Sequence, residues 1–563
     1  HKSSDSGQNW EIISPDLTTN DPEKQMQGES GGLTMDATGA ENYCTILVIE
    51  PSPLNADLIW VGTDDGNVQI SRNGGDSWSN VSSNLPGLPS GTWIAQIKAS
   101  NKNEGEALLV ANDYRRYNYT PYAYRTRNYG QTWERIVDGN DAISYALSIV
   151  EDPEESRLMF LGTDDGLYVS IDAGANWTKW TEGFPTTNAY DLVIHPREHD
   201  LVIGSFGRSI WVLDDIRPLR AMAKSGKSLL DRKLTVYDPP VGYVASNQQP
   251  SGTRFGGDAM YNGENRPYGS MLTYSINRPE EPKEEVKEEK KSKKVKKKSE
   301  EPEMKEEEEK VSYDSITVEI FKGSEVIRTL KSKAPKENGI HRTFWYMDEK
   351  GPANMRRRDR NGNREPSGVT AMPGTYKVRF TFGNQMDSTE VEVQYDPRIE
   401  LSNSAIAAQY NALKNLESKY EVGVKAVDRL KESIKIAEGI KSELKKKDKE
   451  GFKDQIELCT STVDTLNTML DVFMGEEDDR QGITRSTPNS VNNAYRTAYW
   501  YTSGALHAPG DTENKLIKKF EDELAKAMEM INGYYAEDWP EFRSSVENLD
   551  TSPFKDYEEI KEE

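Results

Sequence analysis

Ser71-Arg72-Asn73-Gly74-Gly75-Asp76-Ser77-Trp78 is the stretch on which the fold of this chain turns. The same pattern, Ser/Thr-x-Asp/Asn-x-Gly-x-x-Trp, stands at Ser3-Ser4-Asp5-Ser6-Gly7-Gln8-Asn9-Trp10, at Thr126-Arg127-Asn128-Tyr129-Gly130-Gln131-Thr132-Trp133 and at Ser170-Ile171-Asp172-Ala173-Gly174-Ala175-Asn176-Trp177. Four copies in register make a repeat, and a repeat sets the fold class before any other signal. In each copy Asp or Asn folds back onto turn amides, Gly takes a positive φ and Trp anchors the outgoing strand. The residues concerned are Asp5, Gly7 and Trp10; Asn73, Gly75 and Trp78; Asn128, Gly130 and Trp133; Asp172, Gly174 and Trp177. Their role is structural, not catalytic.

A short strand precedes each box, and two of these strands follow the same turn, Gly62-Thr63-Asp64-Asp65-Gly66 and Gly162-Thr163-Asp164-Asp165-Gly166. Strand, Asp-Gly turn, strand, box, strand is one antiparallel blade of a β-propeller. Inner strands are expected near residues 43–50, 93–100, 145–151 and 190–195. The last blade runs through 201–205, turns at Phe206-Gly207-Arg208 and returns through 209–213. About four blades result, at a spacing of roughly 44 to 68 residues. Residues 2–3 should end a strand whose partners lie upstream, so residues 1–216 read as the C-terminal blades of a larger propeller. An N-terminal propeller fragment of the same protein is the expected partner, because unpaired blade edges invite association.

Residues 217–267, rich in Gly, Asn and Pro, read as a connector. Strand patterns follow at 271–276, 316–321, 342–345, 375–382 and 389–394, which predicts an immunoglobulin-like β-sandwich over 268–398. Its charged low-complexity insertion at 280–310, almost all Glu and Lys, cannot bury enough surface to order itself. From there the period becomes helical: Ile406, Tyr410, Leu413 and Leu416, then Val424, Val427, Leu430, Ile434 and Ile440. Further helices over 452–474, 491–503 and 513–535, with a polar loop at 475–490, make 399–563 a helical bundle and tail. The fold class is thus mainly β and multidomain, with a partial propeller, an Ig-like sandwich and a C-terminal α-helical bundle.

The bulk numbers exclude several functions. A net charge of -23 repels nucleic acid and anionic lipid. No run of residues is apolar enough to span a membrane. Cys44 and Cys459 fall in different predicted domains, so no disulfide framework is expected and both read as apolar fillers. His1, His195, His199, His341 and His507 share no metal spacing and no nucleophile motif. No metal and no cofactor are expected. The opening His1-Lys2-Ser3 carries no targeting segment, as a mature or cleaved start would not.

Candidate chemistry gathers on the face opposite the boxes, where the turns between second and third blade strands lie. That face collects Asp64, Asp65, Asp164, Asp165, Arg208 and the insertion Asn112-Asp113-Tyr114-Arg115-Arg116-Tyr117-Asn118-Tyr119-Thr120-Pro121. The candidate binding residues are these four aspartates with Asp113, Tyr114, Arg115, Arg116, Tyr117, Tyr119 and Arg208. The Asp-Asp turns are either a carboxylate pair or Ca²⁺ ligands, or else turn formers bonded to local amides. Tyr114 to Tyr119 are either a stacking platform for sugar or peptide, or a loop packed over the next blade.

On the boxes, residues 1–216 resemble the BNR/Asp-box propellers of the sortilin-like and glycosyl-hydrolase-like superfamily. Ser14-Pro15-Asp16-Leu17-Thr18, Gly32-Leu33-Thr34, Thr38-Gly39-Ala40-Glu41 and Arg208-Ser209-Ile210-Trp211-Val212-Leu213-Asp214-Asp215 look like large secreted proteins of Bacteroidota-type bacteria, as do Pro373-Gly374-Thr375-Tyr376 and Asp396-Pro397-Arg398 before the helices. The resemblance implies an extracytoplasmic protein, secreted, periplasmic or associated with the outer membrane or cell surface. Its expected function is a binding scaffold that engages other envelope or secreted proteins, peptide or glycan. The alternative it implies is a glycoside hydrolase, sialidase-like or of another BNR type, whose site is shared with an N-terminal half. A sialidase needs an arginine triad, a Tyr-Glu pair and an Asp acid, and that set cannot be placed here.

Overall fold

The computed structural model describes residues 1–26, 43–245, 263, 266–279, 312–355, 365–476, 490–505 and 507–549. The charged insertion at 280–310, most of the polar loop at 475–490 and the motif stretches at 32–34 and 38–41 lie outside the described residues. The chain divides into two compact units, His1–Asp238 with Thr273–Pro279, and Pro239–Leu272 with Glu280–Glu563. The architecture is mainly β, with a helical C-terminal region.

In the first unit the repeat becomes four antiparallel sheets. Strands β1 (Ile46–Pro51), β2 (Ile59–Thr63), β3 (Val68–Ser71) and β4 (Ser79–Asn80) form the first. The second is β5 (Trp93–Ala99), β6 (Ala107–Asp113), β7 (Asn118–Thr126) and β8 (Glu134–Val137). The third is β9 (Ala146–Glu151), β10 (Met159–Thr163), β11 (Gly166–Ser170) and β12 (Thr178–Trp180), and the fourth is the three-stranded β13 (Ala189–Ile194), β14 (Leu201–Ser205) and β15 (Ile210–Leu213). Each sheet is a meander in chain order, so its inner strand is the first and each box closes the third strand onto the fourth.

The boxes work through two side chains rather than one. The first hydroxyl accepts the glycine amide: Ser3 from Gly7 at 2.8 Å, Ser71 from Gly75 at 2.9 Å, Thr126 from Gly130 at 3.0 Å and Ser170 from Gly174 at 2.9 Å. The third-position Asp or Asn accepts the amide four residues on, at 2.8 to 3.0 Å in all four boxes. Gly7, Gly75, Gly130 and Gly174 have φ of 87°, 108°, 75° and 88°, and the residue before each is also left-handed. Asp5, held as a carboxylate chiefly by the Asn9 amide, titrates at about 2. Trp78, Trp133 and Trp177 are covered by neighbouring chain, but Trp10 is exposed, its box being held by a Lys2–Glu11 bridge with no inner strand beside it among the described residues.

Blades stack through their faces. Trp60 of β2 meets Trp133 edge-on at 5.9 Å between the first and second blades. Ile149, Met159 and Leu161 of the third pack with Leu108 and Val110 of the second, and Phe160 and Leu167 with Leu192 and Ile203 of the fourth. Among the described residues, the first and fourth blades leave apolar side chains exposed. On the fourth blade Val193, Val202 and Val212 are cross-strand neighbours in one row, on the face opposite the buried Leu192 and Ile203 and the half-buried Trp211. On the first, Ile46, Leu47 and Ile49 of the inner strand are exposed. Helix α1 (Arg217–Ser225) covers the buried side of the fourth blade with Leu219 and Ala223, and its Arg220 reaches the buried Asp152. The stretch read as a connector therefore begins with a packed helix.

In the second unit, the five-stranded sheet runs Gly242–Val244, Gln385–Tyr395, Gly374–Phe382, Ser315–Lys322, Glu325–Lys333, with only its first pair parallel. Period-two burial of Ile316, Val318 and Ile320 against Tyr376, Val378 and Phe380 gives it one apolar face. Strands Asp348–Lys350 and Ser367–Thr370 form a separate pair. The helices are α2 (Asn403–Lys447), α3 (Lys453–Met474), α4 (Val491–Gly504), α5 (Asp511–Ala536) and α6 (Asp538–Val546). Leu413, Leu416, Tyr420, Val424, Val427 and Leu430, at three- and four-residue steps on α2, pack with Leu466, Phe473, Ala494, Phe520 and Leu524. Cys459 is buried as a filler; Cys44 is not, being half-buried at a left-handed φ of 61° with its sulfur 3.6 Å from the Thr19 hydroxyl.

Candidate functional site

The turns from the second to the third blade strand carry the residues singled out from sequence, and the four aspartates among them are consumed locally. Asp64 is buried and accepts the Thr45 amide and hydroxyl, each at 2.8 Å, while its own amide donates to the Thr45 carbonyl at 3.0 Å. Burial raises its pKa, against the pull of the Thr45 bonds. Asp65 accepts the Thr19 amide at 2.6 Å, the Thr19 hydroxyl at 2.7 Å and the Thr63 hydroxyl. Burial pushes Asp65 up, yet these hydrogen bonds together outweigh it and leave the group below its ordinary value.

The third blade repeats the device. The Asp164 amide donates to the Tyr145 carbonyl at 3.1 Å, and Tyr145 returns its hydroxyl to the Asp164 carboxylate at 3.0 Å. Asp165 accepts the Thr163 hydroxyl at 2.6 Å and Lys179 Nζ at 2.7 Å, with the Tyr168 hydroxyl beside them. Lys179 and the hydroxyls overcome the upward push of burial and lower its pKa. In both blades the first aspartate of the turn pins the start of the inner strand. A carboxylate that already accepts several protein donors, as Asp64, Asp65 and Asp165 do, is a poor base, nucleophile or metal ligand, whereas among the described residues the half-buried Asp164 accepts the Tyr145 hydroxyl alone. Among the described residues no group of three or more His, Cys, Asp and Glu is placed to hold a metal ion.

The second blade replaces the Asp-Asp turn with a built loop. Asp113 accepts Arg116 Nε at 2.6 Å and Asn118 Nδ2 at 3.2 Å, and Arg116 also donates to the Ser90 carbonyl at 2.9 Å and the Thr92 hydroxyl at 3.2 Å. Tyr117 takes a left-handed φ of 60° to turn the chain back into β7. So fixed, the loop lays Tyr114 on Tyr145 of the next blade, 4.6 Å between centroids and 22° between planes. The Arg115 guanidinium lies 3.3 Å from the Trp93 centroid and 4.4 Å from that of Tyr114. Trp93, Arg115, Tyr114 and Tyr145 thereby form one line of stacked planes across two blades, with Tyr119 tilted at 6.1 Å from Tyr145.

The packing reading of this loop applies to Tyr114 and not to the other two tyrosines. Tyr114 packs over the next blade, whereas Tyr117 is 86% exposed and Tyr119 53% exposed. Arg208 stands exposed on the β14–β15 turn, where its carbonyl accepts Trp211 Nε1 at 2.8 Å, and takes no part in the stack. Trp93 and Tyr145 were missed in sequence. Each sits at the start of an inner strand, and their position beside the loop was the signal available.

A family model described as Sortilin, neurotensin receptor 3 (Sortilin-Vps10) matches residues 122–214. A search of the curated proteins finds no match. Among solved structures, the chain is similar to a GH74 enzyme from Niastella koreensis, at 14% identity and a TM-score of 0.24, covering 30% of this chain and 28% of that one. It is similar also to a GH74 xyloglucanase from Xanthomonas campestris, at 15% identity, a TM-score of 0.25 and coverage of 32% and 30%. A third is YCF48 bound to D1 peptide, at 18% identity, a TM-score of 0.23 and coverage of 30% and 52%. The matched region spans less than a third of the two GH74 chains. No described helix is long and apolar enough to cross a membrane.

Proposed function

We propose that this chain is an extracytoplasmic binding scaffold of the large secreted Bacteroidota type, which uses the turn face of its blades to engage a protein, peptide or glycan. The observation that carries the reading is the contrast on that face: its buried carboxylates accept protein donors, while Arg115, Tyr117 and Tyr119 stand exposed beside the stacked planes of Trp93, Tyr114 and Tyr145. Stacked aromatic planes with an arginine recognise the flat faces of sugars and peptides and require no proton transfer. The alternating burial of the five-stranded sheet supports an immunoglobulin-like reading of that region, as a spacer within an envelope assembly.

The partner that fits the bare blade faces is a further set of Asp-box blades, from an N-terminal propeller fragment of the same protein. Every internal blade face here is covered by another blade, and Val193, Val202 and Val212 continue that packing surface outward.

The test is a glycan and peptide array probed with the chain and with Tyr117→Ala/Tyr119→Ala and Arg115→Ala. Binding that falls about tenfold or more in these variants, the effect of losing about 1.4 kcal/mol of stacking, supports the scaffold. Glycan hydrolysis that survives them and disappears in Asp64→Asn or Asp164→Asn would overturn it in favour of a hydrolase.

A further inference from the structure

The first three blades each finish on a fourth strand. After its box, the first adds β4 along β3, the second adds β8 along β7 and the third adds β12 along β11, all antiparallel and two to four residues long. No box follows β15; the chain passes from Leu213 through Asp214 and Asp215 into α1. Among the described residues, no strand pairs with β15 on the side away from β14.

The register fixes which backbone groups this leaves over. The Ser205 amide donates to the Ser209 carbonyl at 3.3 Å, and the pairs Ile203 with Trp211 and Leu201 with Leu213 follow at two-residue steps. In an antiparallel ladder alternate pairs carry the hydrogen bonds. Trp211 and Leu213 therefore turn their N–H and C=O toward β14, while Ile210 and Val212 turn theirs outward. The far side of β14 keeps the same alternation: the His195 amide donates to the Asp200 carbonyl at 2.8 Å, which makes Val193 with Val202 a bonded pair. Ile210 and Val212 are also 70% and 53% exposed. An open edge flanked by apolar side chains is a template for another strand.

We propose that β15 receives its fourth strand from the N-terminal propeller fragment of the same protein. The strand is an extended segment of about four residues, the length of β15, antiparallel to it and carrying apolar residues opposite Ile210 and Val212. This rests on the reading that further Asp-box blades cover the valine row. The three complete blades set the pattern, as where Leu167, Tyr168 and Val169 of β11 pair with Trp180, Lys179 and Thr178. Continuity favours this source. Val212 belongs both to the open edge and to the row with Val202 and Val193, so the body that covers the row borders the edge. A second copy paired edge to edge through its own β15 would extend the sheet in its plane and leave that row uncovered.

The experiment is residue-resolved hydrogen exchange on the assembly purified natively from its source and on the chain freed from it. The Ile210 and Val212 amides should exchange at least about 100-fold more slowly in the assembly. Val212→Pro deletes an outward N–H and none that reaches β14. It should leave exchange over β14 unchanged in the freed chain and weaken rebinding of the fragment at least about tenfold. If Val212→Pro disturbs the blade, amide protection in the unsubstituted chain still decides. A fragment that stays bound while both amides exchange as fast as in the freed chain overturns the added strand and spares the partner. An assembly without a fragment overturns both. Protection that rises with the concentration of the freed chain alone assigns the edge to a second copy and overturns the proposal as well.

Discussion

Replacing Arg220 by methionine keeps the side-chain stem and removes the charge that clamps α1 to the third blade. Arg220 Nε lies 2.9 and 2.8 Å from the two oxygens of Asp152, and both side chains are buried. Asp152 would keep the Glu154 and Glu155 amides at 2.9 and 2.7 Å, so it is not stranded entirely. Breaking a buried pair from one side costs about 3–5 kcal/mol, and the two remaining donors put Arg220→Met near the lower end. A loss of about 3 kcal/mol speeds local opening by about 150-fold. The assay is hydrogen exchange by mass spectrometry, read in peptides over α1 and the end of β9, because a chain of two units has no single unfolding free energy. Adding Asp152→Asn should recover at least about 1.5 kcal/mol, since no uncompensated charge is then left buried. Exchange in α1 less than fivefold faster in Arg220→Met, or a double variant worse than the sum of the singles, would refute the clamp.

Gly162→Ala puts a Cβ 2.2 Å from the Ala189 carbonyl oxygen of the next blade, whereas Gly62→Ala meets the Ile94 side chain at 2.5 Å. Backbone cannot move aside as a side chain can, so Gly162→Ala should cost about 3 kcal/mol and Gly62→Ala nearer 1, compared by hydrogen exchange in peptides over β10 and β2. His199 is pushed below its ordinary value of 6.5 by burial and then by Arg220 and Arg217. The unfolded chain takes up a proton that the folded chain resists, so this contribution is intact above pH 6.5 and is lost as pH falls from there toward the folded value. His199→Asn should flatten the acid side of the melting-temperature profile, and an unchanged profile would count against it. Ser170→Ala leaves the buried Gly174 amide without its acceptor at 2.9 Å and should cost about 1–2 kcal/mol, with faster exchange confined to the β11–β12 turn.

The blades were legible because a repeat states its geometry four times, and every inner strand falls where the box spacing puts it. The second hydrogen bond of each box, from the glycine amide to the first hydroxyl, was visible only as an invariant Ser or Thr whose purpose the spacing does not disclose. Strand Glu325–Lys333 escaped because its Arg328, Lys331 and Lys333 break the apolar alternation, and Arg328 is nevertheless buried beside Asp348. On the turn face, Tyr114 could be nominated from composition, but its partner Tyr145 is thirty-one residues away and only blade-to-blade packing joins them.

The exposed apolar residues at the two ends of the blade row make unlike surfaces among the described residues. One presents an inner strand with Ile46, Leu47 and Ile49, the other a flat valine row. Contacts between unlike ends are directional, so copies that found each other this way would add head to tail and not as a symmetric pair. Such addition stops only if the rotation per step closes a ring. A cap on either end would therefore limit the size of particle that such contacts could build, and the concentration dependence of sedimentation would measure it.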